Sequence, residues 1–402
     1  AVWEAFHSGR PCRPPVALGT NARYFIFNEA LNPGEELTFE RYSTDGAEML
    51  QFQLRAAEWR AEHIAPFCDD PVGLPDAFEV SVDLQNYDDA GLFGAPVVFL
   101  PHQVPDTRPI LEGTDKHLLF ERGQPDPLTG GIFVRAHQLH EQMAGYLEKQ
   151  PTYRDRPVHL GPFGLYTCGP LTTAAALRGT EFYLDLYTDP EYARELLEFV
   201  TEGTIARIQA QRRFFGLDPV APDLFFADDA IQMISGEMLV EFVLPCYRRL
   251  KAALTTAERC KIHLCGDTTR HFKPLKEELG VYDFETGYAV DFGALRQELG
   301  PEVTIHGGPS AIFLQQATPE EVRAETERIL YSGICDGGRF VLREGNNLAP
   351  GTPLANLAAM YEAARAWGAQ RKNGGQRSGT ESGGWGSTVL DSKDEEGIHG
   401  EL

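Results

Sequence analysis

The 402-residue chain has no apolar run approaching the roughly 18 uninterrupted residues of a membrane span, so a soluble protein is expected. It is short of positive charge: 36 Lys and Arg stand against 59 Asp and Glu, a formal charge of -23. That imbalance repels nucleic acid and anionic membranes and argues against either as a partner. The seven cysteines are odd in number, scattered and nowhere spaced CxxC. This excludes a secreted disulfide scaffold, a zinc ribbon and a redox dithiol, and a reducing, cytoplasmic setting is expected. The opening AVWEAFHSGRPCRPP begins without Met and shows no basic-then-apolar leader, so no signal peptide is expected. No GxGxxG turn follows a first strand, which removes the main support for a doubly wound open sheet.

What is present is a repeated strand, loop and helix. Strand patterns begin at Pro15, Pro96, Val158, Asp223, Lys261, Val281, Val303 and Arg339. Helix starts stand at Asp189 with Pro190, Asp291, Thr318 with Pro319, and Thr352 with Pro353, the last helix stopping near Gly368. Eight such strands predict an α/β fold, a (β/α)8 TIM barrel over residues 1–369 with an N-terminal extension. Residues 68–157 are rich in Asp and Pro and predict an insertion or lid over one face. Residues 370–402, rich in Gly, Ser and charge, predict a disordered tail.

In a parallel barrel the chemistry sits at the C-terminal ends of the strands. That rule selects His263 and Cys265, two apart in KIHLCGDTTR and so on one face of a strand. An imidazole and a thiol there are ready zinc ligands, and an open fourth position would activate a substrate thiol. The bland alternative is a core cysteine beside a hydrogen-bonded histidine. Glu344, just past the last strand, supplies a hard oxygen as third ligand, whereas Cys335 falls before that strand, at the opposite end of the barrel. Asp228 and Asp229 either cap a helix or, with Gln232, hold substrate and move protons. Asp267 and His306 are further acid-base candidates, and Arg23 and Asn346 are substrate-binding candidates. His137 and His140, one helical turn apart, read as a solvated helix face.

The stretches GPLTTAAALRGTEFYLDLYTDPEYARELLEFV, FFADDAIQMISGEMLVEFVLPCYRRL, HLCGDTT and NNLAPGTPLANLAAMYEAAR together resemble the uroporphyrinogen decarboxylase superfamily, from about Val158 to Gly368. The resemblance implies a (β/α)8 barrel and two kinds of activity. One is cofactor-free decarboxylation in porphyrin biosynthesis. The other is zinc-dependent methyl transfer involving a corrinoid protein and thiols such as coenzyme M. The Arg-rich RQAGRY segment of the decarboxylases is missing, and Asn346 stands where they carry a His. His263 and Cys265 fit the HxC of the methyltransferases, whose distant Cys also falls at Asn346, so three expectations stand: Glu344 substitutes, zinc is bound differently, or the site is no longer a zinc site. The resemblance therefore implies a methyltransferase with zinc and a corrinoid partner. The alternative is a metal-free decarboxylase of a porphyrinogen or other polycarboxylate, and a non-catalytic binding descendant is a third reading.

Overall fold

The computed structural model describes residues 1–287 and 289–373. Its strands are β1 (Phe78–Val80), β2 (Val97–Val98), β3 (Asp106–Thr107), β4 (Thr152–Tyr153), β5 (Arg156–Leu160), β6 (Phe225–Ala227), β7 (Cys260–Leu264), β8 (Val281–Thr286), β9 (Thr304–Gly307) and β10 (Phe340–Leu342). A parallel sheet runs β10-β9-β8-β7-β6, with Val16 bridged in parallel to Leu342 at its edge. The strands β1 and β5 form a second parallel pair. The Ala227 N–H donates to the Thr167 carbonyl at 3.1 Å, which joins the segment leaving β5 to β6. Val16, β1, β5, β6, β7, β8, β9 and β10 are thus the eight staves of a (β/α)8 barrel.

The period-two alternation of these strands separates core from bore. Phe226, Ile262, Phe284 and Ile305 are fully buried and face the surrounding helices. The intervening residues face the other way, and in register Ala227 pairs with His263, His263 with Glu285, and Glu285 with His306. One level of the bore is therefore polar. The helices return the chain between staves and begin at capping residues: Asp189 accepts the Tyr192 N–H ahead of Pro190, and Thr318 with Glu321 forms a capping box. Among the described residues no helix is long and apolar enough to cross a membrane.

Three expectations require correction. The run from Pro96 to Leu100 is no stave: Val97 and Val98 pair antiparallel with Asp106 and Thr107, and the second stave is Phe78–Val80. Hydrophobicity misleads here because PVVFL packs against the core from outside, while the true stave has only three residues, buried, exposed, buried. The region 68–157 is also less irregular than its composition suggests, with helices at Asp88–Leu92, Leu118–Arg122 and Phe133–Leu147. The last helix continues to Asn373, past Gly368, and the remainder of the expected tail lies outside the described residues.

Candidate active site

The strand β7 delivers His263, and the turn after it delivers Cys265. His263 Nε2 stands 3.1 Å from Cys265 Sγ. The other ring nitrogen, Nδ1, faces Glu285 Oε2 at 3.3 Å across the β7–β8 ladder. Burial disfavours a charged imidazole, but the hydrogen bonds from His263 to Cys265 and Glu285 outweigh it and lift its pKa to about 10. Burial alone would raise the Glu285 carboxyl, yet His263 and Arg343 hold it down to about 2. Arg343 in turn pairs with both Glu285 and Glu344. A charged string therefore lies behind the imidazole and fixes its orientation.

Asp229 completes the group. Its Oδ1 accepts the Cys265 N–H at 2.8 Å, and ligand atoms of Asp229, His263 and Cys265 all lie within 4.8 Å of one another. Ligands about 2.0–2.3 Å from a tetrahedral zinc stand roughly 3.5 Å apart, so small side-chain adjustments bring these atoms to bonding distance. A carboxylate on the far nitrogen of a ligating His is the usual outer support of such a site, and Glu285 is in that place. The donor chemistry and its support fit a zinc-class ion.

Asp228 points elsewhere. Fully buried, it accepts the Leu171 N–H at 3.0 Å, the Thr172 N–H at 2.8 Å and the Thr172 hydroxyl at 2.7 Å. It therefore anchors the N-terminus of helix Pro170–Arg178, and burial pushes its carboxyl up to about 7. The stretch preceding that helix is held by Asp89, which accepts the Thr167 hydroxyl at 2.8 Å, the Cys168 N–H at 2.7 Å and Arg207 Nη2 at 2.6 Å.

The other sequence candidates separate by position. Glu344 is not in the donor group: its Oε1 accepts the Gly19 N–H at 3.1 Å and Arg343 Nη2 at 2.8 Å, and burial raises its carboxyl to about 7. Glu344 lies past the end of β10, and its ties to Gly19 and Arg343 hold its carboxylate away from Cys265. Asn346 does reach the group, with Nδ2 donating to Cys265 Sγ at 3.1 Å. His306 pairs with Asp283 at 2.9 Å, within the bore rather than at the thiol. Asp267 is exposed and receives the Thr269 N–H at 3.2 Å, a turn cap. Gln232 lies over Gly266, whose φ of +70° turns the chain beneath it. Arg23 sits on the short helix Ala22–Ile26, and among the described residues no hydrogen bond or ion pair ties it to the site. His137 and His140 are not a solvated face. They pack against Phe163, Phe214 and Phe215, and burial lowers both pKa values.

Sequence reasoning missed Glu285 and Arg343. The strand read from Val281 stops at Phe284 if judged by apolar residues. Alternation was the available signal, since Asp283 and Glu285 share a face opposite Phe284.

The uroporphyrinogen decarboxylase (URO-D) family model matches residues 162–367, half of the chain. The chain belongs to the uroporphyrinogen decarboxylase family. The chain is 29% identical over 201 residues to a methylated-thiol–coenzyme M methyltransferase of Methanosarcina mazei, covering 49% of this chain and 51% of that protein. It is 25% identical over 198 residues to a methylcobamide:CoM methyltransferase of the same organism, covering 49% and 56%. The chain thus spans about half the length of these methyltransferases. A longer match, 24% identical over 323 residues, covers 75% of this chain and 86% of a uroporphyrinogen decarboxylase from Anaeromyxobacter sp. strain Fw109-5. A solved methyltransferase from Methanosarcina mazei superposes with a TM-score of 0.62 at 17% identity, covering 90% of this chain and 97% of that one. That likeness shows the family barrel.

Proposed function

We propose that the chain is a methyltransferase that moves a methyl group between a small methylated substrate or thiol and a corrinoid carried by a partner protein. The observation that carries this reading is the convergence of Asp229, His263 and Cys265 at the C-terminal end of the barrel, with Glu285 behind the imidazole. When bound there, zinc supplies Lewis acidity that makes a coordinated thiol a nucleophile near neutral pH. The protein residues prepare that step. Glu285 holds Nδ1 of His263 and leaves Nε2 directed at Cys265, while the Cys265 N–H fixes one oxygen of Asp229. The names of the two methyltransferase relatives support a thiol acceptor and a methylcobamide donor for the same site.

A second reading, decarboxylation of a porphyrinogen or other polycarboxylate, draws on the longer match to the Anaeromyxobacter relative. Asp228 is already occupied by the helix it anchors, so Asp229 alone of that pair remains for a developing positive charge. Metal analysis separates the readings. The expected result is about one zinc per chain in the wild type, lost in Cys265→Ala. Methylcobalamin with coenzyme M is then expected to yield the S-methylated thiol, while uroporphyrinogen is left unchanged. A metal-free wild type that decarboxylates uroporphyrinogen overturns the methyltransferase reading.

A further inference from the structure

The loop after β10 brings Asn346 to the thiol in one orientation only. Its Oδ1 accepts the Asn347 N–H at 2.8 Å and the Asn347 side-chain amide at 3.4 Å, and Nδ2 faces Cys265 Sγ at 3.1 Å. Turning the amide over would set an N–H donor against the Asn347 N–H, so the hydrogen-bond network allows one assignment. The backbone is tied on both sides: Gly345 N–H to the Pro309 carbonyl at 3.0 Å, and Leu348 N–H to the Gly19 carbonyl at 2.9 Å. An amide NH2 has no lone pair to offer a cation, but it is a good donor to anionic sulfur.

We infer that Asn346 is a positioning residue that acts on the Cys265 thiolate and not on the metal. Its fixed N–H draws electron density from the sulfur and holds it against His263 and Asp229. A zinc-class ion held there would take its protein ligands from Asp229, His263 and Cys265, which would leave a position for the substrate. A thiolate that shares its charge with a donor neutralises the ion less, which leaves the ion a stronger Lewis acid toward the substrate. This inference rests on the metal reading proposed above.

Cobalt(II) reports both levels, because its thiolate charge-transfer absorption follows the sulfur while its visible ligand-field bands follow the number of ligands. Wild type, Cys265→Ala, Asn346→Ala and Asn346→Cys are titrated with cobalt(II). The expected result is a charge-transfer band in the wild type that Cys265→Ala abolishes. In Asn346→Ala that band moves to longer wavelength and the ligand-field bands stay in place. In Asn346→Cys, which puts a second thiol beside Cys265, the intensity becomes about twice that of the wild type. An unmoved band in Asn346→Ala, altered ligand-field bands in that variant, or unchanged intensity in Asn346→Cys each overturns the role of Asn346 while the metal site stands. A wild type with no band sensitive to Cys265→Ala overturns the metal reading, and this inference with it.

Discussion

At the scale of single residues, charge burial decides which carboxylates serve the site and which serve the fold. Asp229 and Glu285 keep partners at the open end of the barrel, whereas Asp228 is spent on backbone N–H groups and Glu344 Oε1 on the Gly19 N–H and Arg343. Asp88 is a further case. Burial first, then the neighbouring Asp89, push its carboxyl up to about 7, although Arg207 pulls against them. An unfolded Asp titrates near 4, so the folded state binds the proton more tightly than the unfolded one. Stability from this group is therefore full below about pH 4 and is lost as pH rises toward 7. Asp88→Asn removes the penalty and is expected to stabilise the protein at pH 8 by roughly 1–3 kcal/mol relative to its effect at pH 5. Urea unfolding at both pH values checks this, and an equal effect at both would contradict it.

At the scale of elements, the acidic corner after β6 exists because a helix end meets it. The N-terminus of Pro170–Arg178 offers free N–H groups, and Asp228 accepts two of them. The approach is possible only because Gly169 precedes the helix at φ +90°. A Cβ there would lie 2.3 Å from the Ala227 carbonyl oxygen and 2.5 Å from Asp228 Cβ. Gly169→Ala is expected to cost roughly 2–3 kcal/mol of stability. It should also weaken metal binding, because Asp229 follows Asp228 directly; denaturant melts and a zinc titration of the same variant measure the two effects. Retained stability would show that the corner yields more easily than its packing implies. The strand and helix starts in this half of the chain were legible because caps, Pro and apolar runs agree. The stave Phe78–Val80 was not, since three residues carry too little pattern to compete with PVVFL.

At the scale of the whole molecule, the formal charge of -23 sets a repulsion that no single ion pair answers. Self-repulsion of this kind is screened by salt over about 10 Å at 0.1 M. Raising NaCl from about 10 mM to about 150 mM is expected to raise Tm by a few degrees. Calorimetry at the two concentrations tests it, with a flat or falling Tm as the contrary result. The excess of acid lies alongside internal ion pairs that hold distant segments together: Arg13 with Asp69 joins the first stave to the chain beyond the helix Gly46–His63, and fully buried Arg207 binds Asp88, Asp89 and the carbonyls of Gly164 and Tyr166. These links span long sequence separations, and nothing local in the sequence announces them.

Local signals along the chain specify the parallel barrel, through repeated strand, cap and helix starts, and the HxC spacing places His263 near the end of a strand with Cys265 just beyond it. Both follow from local rules, the period of a strand and the chemistry of a helix start. The rest of the group comes together through contacts across the fold. Asp229 and not Glu344 lies beside the pair, Glu285 stands behind the imidazole, and Asn346 turns its amide on the sulfur. Those choices depend on stave register and on which way a loop is tied. Register and loop closure are set by contacts between residues far apart in the chain, and a one-residue shift in either would exchange one carboxylate for another.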